Sequence, residues 1–414
     1  MILELTDMAP TGEAIGRLDG MVVFVPYALP GETVEVEIVH RRRTFARGRV
    51  VGIVRSSSHR VQPPCPYFTV CGGCEWQHIE ASQQLLYKSQ AVKEQLSHIG
   101  KLPDCVVQPC MAGPLVYGYR NHTQLAFSPN GALGYRRAGS WQVVEISQCL
   151  LVDSHLNELI SEINYIGTPL RHHLEQIIAE HSPGDLRELH LRYGVHTAEW
   201  QVMVEWQDNQ HSVVDGQIPV HEHIGGYEYV ISPGSFFQVN THVASLLVTE
   251  VLNALALQGD ESVLELYSGV GLLTVPISKL ASSVLGVELN PEAVQDARLN
   301  LATRSNAQVI QTDVNSAPGL PEVRSTRWSA IVVDPPRSGI PYGTLMKLLE
   351  LQVPRLVYVS CDPASLARDA HVLSTAGYEL THVQPLDMFP QTHHIEIVAV
   401  FTRQVGFALH AGRP

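Results

Sequence analysis

Apolar residues recur along this chain in three rhythms. Up to about residue 57 they come in strand-length runs: Met21-Val22-Val23-Phe24-Val25 is apolar, residues 33–39 alternate Val34, Val36 and Ile38 with Glu35 and Glu37, and residues 49–54 form another short run. Turn pairs at Thr11-Gly12, Asp19-Gly20 and Pro30-Gly31 separate these runs, and short strands so closely spaced predict a small closed β-barrel. Ser56-Ser57-Ser58 and Pro63-Pro64 mark a linker. A helix is predicted over about residues 80–98, where Leu85, Leu86, Val92, Leu96 and Ile99 form a rough apolar stripe. Residues 117 to about 226 read as a second, mostly β region with a helical piece near 153–163.

The rhythm changes near Ser232. Apolar runs at residues 263–266, 284–287, 309–310, 331–333 and 356–359 alternate with helix-like segments. Such alternation predicts a parallel sheet covered by helices on both faces. Two further runs, 378–388 and 395–402, have no helix between them and predict an antiparallel edge pair. The expected fold class is α/β: a Rossmann-like domain over 231–414, preceded by a barrel over 1–57 and a central domain over 58–230.

Composition bounds the function less than the patterning does. Hydrophobic residues make up 45% and charged residues 17%, the balance of a globular chain. No long uninterrupted apolar run predicts a membrane span. Residues 1–10 lack the basic-then-apolar order of a signal peptide, so the cytoplasm is the expected location; a monomer is the expected state. The net charge of -13 argues weakly against nucleic acid, but distribution matters more than the sum. Arg41, Arg42, Arg43, Arg47, Arg49, Arg55 and Arg60 crowd one stretch and would make one wall of the barrel positive, unless they form a solvated face. The seven cysteines are odd in number, which in a cytosolic chain favours metal binding or catalysis over disulfides.

The candidate chemistry gathers at strand ends. Glu265-Leu266-Tyr267-Ser268-Gly269-Val270-Gly271 carries the first strand of the third region into a glycine turn, where the backbone can approach a ligand closely. Position 274 is Thr, so the dinucleotide fingerprint is incomplete. Glu288, at the next strand end, is placed for ribose hydroxyls. A ligand with a ribose but no pyrophosphate, S-adenosylmethionine above all, fits this pair. Asp313, after the third strand, either contacts its adenine or caps a helix. Asp334-Pro335-Pro336-Arg337 ends the fourth strand in a stiff turn at the crevice edge. Cys361, in Ser360-Cys361-Asp362-Pro363, ends the fifth. A helix N-terminus beyond it is expected to lower the thiol's pKa and make it a nucleophile rather than a core residue. A thiolate is what uracil needs, because addition at carbon 6 gives carbon 5 carbanion character. A base must then remove the carbon 5 proton. Glu396 is the candidate. His393 and His394 are rivals, or could bind phosphate or metal, although neighbours on a strand point apart.

Taken together, Ser232-Pro233-Gly234-Ser235-Phe236-Phe237-Gln238-Val239-Asn240, the glycine turn, Asp334-Pro335-Pro336-Arg337, Ser360-Cys361-Asp362-Pro363 and His393-His394-Ile395-Glu396 resemble the RNA 5-methyluridine methyltransferase family. The likeness runs through essentially the whole chain. It implies Cys361 as nucleophile, Glu396 as base, and Gln238, Tyr267, Glu288 and Asp334 as residues touching S-adenosylmethionine. Leu272 departs from the family, where some members carry a polar residue on the cofactor. The first 57 residues look like the family's TRAM domain, a barrel of the oligonucleotide-binding kind. That resemblance implies RNA contact for its arginines.

Cys65, Cys71 and Cys74 form C-x5-C-x2-C, a thiol set for zinc or an iron–sulfur centre. By spacing alone the fourth ligand is Cys105, Cys110 or Cys149. The resemblance favours Cys149 and a [4Fe-4S] cluster with a structural or RNA-binding role. The cysteine cluster and the TRAM-like domain lean toward a uridine of 23S ribosomal RNA as target, with the T-loop uridine of transfer RNA as the alternative. A non-catalytic RNA-binding iron–sulfur protein is the reading from another class.

Overall fold

A computed structural model describes residues 1–128, 131–181 and 186–404. The N-terminal barrel is built from β1 (Ile2–Met8), β2 (Ala14–Leu18), β3 (Met21–Val25), β4 (Thr33–Arg41) and β5 (Phe45–Arg55). It closes in the order β1-β2-β3-β5-β4, with β1 pairing back onto β4. The alternation in β4 turns Val34 and Val36 inward against Leu3, Leu5, Val23 and Val25, leaving its glutamates in solvent.

Helix α1 (Ala81–His98) follows, with the short β6 (Met111–Ala112) after it. The central sheet takes β7 (His122–Phe127), β8 (Leu133–Arg136) and β9 (Val143–Glu145). Two helices, α2 (Ser154–Asn164) and α3 (Pro169–Ala179), interrupt it before β10 (Leu186–Tyr193), β11 (Trp200–Trp206) and β12 (His211–Gly216). Its order is β12-β11-β10-β7-β8-β9. Asp153 and Thr168 cap the two helices with side-chain oxygens, and Pro169 opens α3. A hairpin of β13 (Val220–Ile224) and β14 (Tyr227–Ile231) and helix α4 (Thr241–Leu255) lead into the third region.

There the chain runs β15 (Ser262–Leu266), α5 (Thr274–Ser278), β16 (Ser283–Glu288), α6 (Pro291–Asn300), β17 (Ala307–Gln311), α7 (Pro321–Arg324), β18 (Ala330–Val333), α8 (Tyr342–Glu350), β19 (Arg355–Ser360), α9 (Pro363–Thr375), β20 (Tyr378–Asp387) and β21 (Glu396–Arg403). The eight strands lie in the order β17-β16-β15-β18-β19-β21-β20-β6. The first five are mutually parallel, and β21 inserts antiparallel between β19 and β20. The order reverses between β15 and β18, which opens a ligand crevice at the strands' carboxyl ends. Leu264, Leu266, Ile331, Val333, Leu356 and Tyr358 pack into one core, while Val263, Val332, Val357 and Val359 pack into another on the opposite face. Burial on both faces explains why these strands read as continuous apolar runs.

Helix α1 departs from its expected stripe. Leu86 and Ile99 are exposed, and Gln84 and Lys88 are buried with Tyr87, Val92 and Leu96. The helix packs on α9 and β20, so with β6 it joins the third region's sheet. Lys88 Nζ donates to Asp387 at the end of β20 and to the Phe389 carbonyl at 3.1 Å. Gln84 and Gln391 bond reciprocally: Gln84 Nε2 donates to Gln391 Oε1 at 3.1 Å, and the Gln391 N–H donates to Gln84 Oε1 at 3.0 Å. Lys88 is 1% exposed, so its removal leaves Asp387 buried and unpaired. Lys88→Ala is expected to cost about 3–5 kcal/mol, read as a lower urea midpoint, and Lys88→Met with Asp387→Leu should recover most of it. A loss below about 1 kcal/mol, the range of an exposed pair, contradicts this account.

Candidate active site and cysteine cavity

The glycine turn after β15 uses backbone shapes that favour glycine. Gly269 and Gly271 have φ of 54° and 88°, and Tyr267 adopts φ 64° despite its side chain. A Cβ on Gly269 would project into open space, so its backbone lies open to a ligand. Glu288, at the end of β16, accepts from the N–H groups of Gly269 (2.9 Å), Leu289 (2.7 Å) and Asn290 (2.8 Å). Its carboxylate thereby ties two strand ends together beside the turn. Tyr267 is half-buried, and burial with the charges of Asp313 and Asp369 pushes its phenol up to about 12. Asp313 is exposed after β17; its Oδ1 accepts from the Asn315 N–H at 2.9 Å, the capping geometry, while its charge still reaches Tyr267.

Glu265 went unassigned from the sequence, although a charge inside Val263-Leu264-Glu265-Leu266 is the signal that marks it. It is buried, and burial pushes it up to about 8. Thr274 Oγ1 donates to it at 2.7 Å. The residue that breaks the dinucleotide fingerprint is therefore the partner of a buried acid. Ser268 Oγ, also buried in this turn, has no hydrogen-bond partner.

The Ser232–Asn240 loop is clamped from both sides. Asp296 on α6 accepts from the Ser232 N–H, Ser232 Oγ and Ser235 Oγ, at 2.6–2.8 Å. Arg192 on β10 donates to the carbonyls of Ser232 and Ser235. Asn121 Nδ2 donates to the Gln238 carbonyl, and Asn240 caps α4. Gln238 is buried by this clamp, and Phe236 stands 71% exposed.

Cys361 sits between β19 and α9, whose first turn is capped by Asp362 accepting from the Ser365 N–H at 2.7 Å. The net shift of this thiol is upward. Burial pushes it up to about 11, the Glu396 and Asp334 carboxyls push the same way, and Arg337 opposes them. Burial also raises Asp334 to about 7. Glu396, 3% exposed at the start of β21, is held well above the usual carboxylate range by burial and the Asp334 charge, against Arg337. Cys361, Asp334, Arg337 and Glu396 thus form one electrostatic group. His393 and His394 lie in the turn before β21 rather than on a strand, so they do not point apart: their rings are 4.2 Å apart. Burial pushes His394 down to about 3.

A cleft of about 1060 Å³, open to solvent, lies over Cys361. One wall is Arg337, Cys361 and His394; the facing wall is the barrel, through Phe24, Phe45 and Arg47. The barrel's aromatic pair was not singled out from the sequence, because nothing local marks it as facing another region.

A separate cavity is lined by Cys65, Cys71, Cys74 and Cys149, with Arg120 and Tyr135. Gly72 permits the close approach of this loop to β8, since a Cβ there would lie 3.1 Å from the Arg136 carbonyl. Asn157 on α2 brackets Cys149, accepting from its N–H at 2.8 Å and donating to its carbonyl at 3.0 Å. Cys110 is buried in the third region's core and Cys105 packs against it, away from this cavity. Among the described residues, the groups of three metal-ligating atoms that converge within 4.8 Å contain no cysteine. The four sulfurs are therefore spread wider than the roughly 3.8 Å between thiolates on one tetrahedral zinc with Zn–S about 2.3 Å. Burial raises Cys71, and it raises Cys74 to about 12.

No described helix is long and apolar enough to cross a membrane. A TRAM domain model matches residues 2–51, and a model described as tRNA (Uracil-5-)-methyltransferase matches residues 208–404. An uncharacterized RNA methyltransferase of Thermosynechococcus vestitus is 33% identical over 97% of each chain. Another, from Halalkalibacterium halodurans, is 31% identical over 96% of each. Among solved structures, the tRNA (uracil-54, C5)-methyltransferase of Pyrococcus abyssi, in complex with S-adenosyl-L-homocysteine, superposes with a TM-score of 0.75 at 26% identity. That match covers 97% of this chain and 100% of the other. The chain belongs to the RNA uracil-5 methyltransferase family, and it is an RNA methyltransferase with an N-terminal TRAM domain rather than a non-catalytic binding protein.

Proposed function

We propose that this enzyme methylates carbon 5 of one uridine in 23S ribosomal RNA, with S-adenosylmethionine as methyl donor. The observation that carries the reading is the shared electrostatic group of Cys361, Asp334 and Glu396 at the crevice edge. S-adenosylmethionine supplies an electrophilic sulfonium methyl. Gln238, Tyr267, Glu288, Asp334 and Asp313 are the residues assigned to hold it, with the glycine turn open to its backbone-facing side. The target base leaves its stack to enter the cleft under the barrel. Cys361 gives its proton to solvent in the open cleft and its sulfur bonds to carbon 6, sending the ring's π electrons toward oxygen 4 as an enolate. Carbon 5 then takes the methyl group, and the S–CH3 bonding pair stays on the donor sulfur, leaving S-adenosylhomocysteine. Glu396, as carboxylate, removes the proton from carbon 5; that C–H pair re-forms the double bond to carbon 6, and the thiolate leaves.

Cys65, Cys71, Cys74 and Cys149 are assigned to a [4Fe-4S] cluster, whose spread thiolates suit their wide spacing. Its role is structural or in RNA binding. The functional division at 57 and 230 belongs to the same proposal, with α1 and β6 packed on the third unit. A second reading, methylation of the T-loop uridine of transfer RNA, is favoured by the likeness to the Pyrococcus abyssi enzyme. Mapping 5-methyluridine by mass spectrometry in both RNAs from a deletion strain separates the two.

Cys361→Ala is expected to abolish transfer, and Glu396→Gln to trap a covalent RNA adduct; normal 5-methyluridine formation in either removes that residue's role. A thiol at about 11 is mostly protonated at neutral pH. Alkylation of Cys361, followed peptide by peptide, should therefore be slow at pH 7 and rise until the pH passes 11; a plateau reached below pH 8 contradicts the burial argument. Anaerobically purified protein should be brown with about four irons per chain, and colourless protein holding one zinc would refute the cluster.

A further inference from the structure

One group beside the catalytic cleft is not used by this chemistry. Glu75 follows Cys74 in the cysteine loop, and His393 and His394 form the turn before Glu396. One ligand atom from each lies within 4.8 Å of the others. Glu75 Oε2 and His393 Nδ1 are 3.6 Å apart, both sealed from solvent, and neither has a hydrogen-bond partner. Buried polar atoms without partners are rare and call for an explanation. Their separation is too long for a hydrogen bond. It matches two ligands on one ion: at metal–N or metal–O distances of about 2.0–2.2 Å, neighbouring tetrahedral ligands stand about 3.3–3.6 Å apart.

The surroundings fit. The barrel loop presses on His393, since a Cβ on Gly12 would lie 2.9 Å from His393 Cβ and 3.1 Å from its Nδ1. Both histidines border the cleft of Cys361. Arg337 Nη2, 3.2 Å from His394 Nδ1, opposes a cation here, but its side chain is exposed and can swing into solvent.

We propose that Glu75, His393 and His394 bind one divalent transition-metal ion of the zinc class, with an open coordination position facing the cleft. Two imidazoles and a carboxylate with one position free is a zinc donor set. The ion would pin the cysteine loop to the turn that carries Glu396.

The test is a calorimetric zinc titration of the holoprotein, with iron measured before and after so that the cysteine cavity stays accounted for. One zinc per chain is expected. Glu75→Gln and His393→Ala should each weaken it by at least about 100-fold, the upper end of what loss of an outer-shell partner costs. His172→Ala, at an exposed position on α3, should leave it unchanged. Cobalt(II) in the wild type should give ligand-field bands without the near-ultraviolet charge transfer of thiolate ligands. No zinc binding, equal binding in all variants, or thiolate charge transfer overturns the proposal. If a variant loses its circular dichroism spectrum or its iron, the wild-type cobalt spectrum decides.

Discussion

The buried contact of Lys88 with Asp387 fixes the part of the molecule on which the site depends. Asp387 ends β20, and the nine residues 388–396 lead from there to Glu396. Lys88 also holds the Phe389 carbonyl, and Asn240 Nδ2 holds that of Met388 at 3.2 Å. Two residues on, the Gln391 carbonyl accepts from the Trp76 N–H at 3.0 Å, while the Trp76 indole donates to the Gly12 carbonyl at 3.0 Å. The turn is thus held at once by α1, by the loop after the cysteines, and by the barrel. An interior ion pair is a poor source of stability, because desolvation offsets its attraction. Here the pair instead sets the geometry of one segment, and a side chain at the end of that segment inherits its placement.

That placement creates a conflict of protons. Glu396 and Asp334 are both acids raised by burial, and Glu265 behind them is raised to about 8. A helix N-terminus contributes about 0.3–2 kcal/mol, at most roughly 1.5 pKa units. Burial and two facing carboxyls outweigh it at Cys361, which is why the expected low thiol pKa fails. Before substrate enters, burial favours the uncharged forms of both the Cys361 thiol and the Glu396 carboxyl. An uncharged thiol is a poor nucleophile toward adventitious electrophiles. The same burial that suppresses it makes Glu396 a stronger base than a solvated glutamate once its proton has gone.

The parts legible in the sequence were those with a local physical signature. A parallel strand covered on both faces is an apolar run, and the polar residues just beyond it fall at the crevice edge; Glu288, Asp334 and Cys361 follow from that rule. β20 and β21 were readable as antiparallel because the link between them is too short for a crossover. The polar face of α1 was not, because Gln84 and Lys88 are buried only through partners some 300 residues away. Helix α3 escaped although Thr168 and Pro169 mark its start in the usual way. His393 and His394 were misjudged by where β21 begins. Spacing could not choose among Cys105, Cys110 and Cys149, since Asn157 on α2 and the core around Cys110 decide which thiol faces the cavity.

The arginine run shows how charge must be read in three dimensions. Arg47 pairs with Glu13, Arg49 with Glu37, Arg55 with Glu4 and Arg60 with Glu32. The wall of the barrel is therefore less positive than seven arginines imply. The pairs are not equivalent. Glu32 is fully buried; burial alone would raise it, but hydrogen bonds from Arg60, Leu29 and Ser57 hold it below the usual range. That pair is structural. The other three arginines are more than half exposed, where an ion pair contributes only about 0–1 kcal/mol. A phosphate approaching the cleft competes for Arg47 against Glu13. Of the paired arginines in the run, Arg47 is the one that lines the cleft, so in a chain of net charge -13 the position of a cation matters more than the sum.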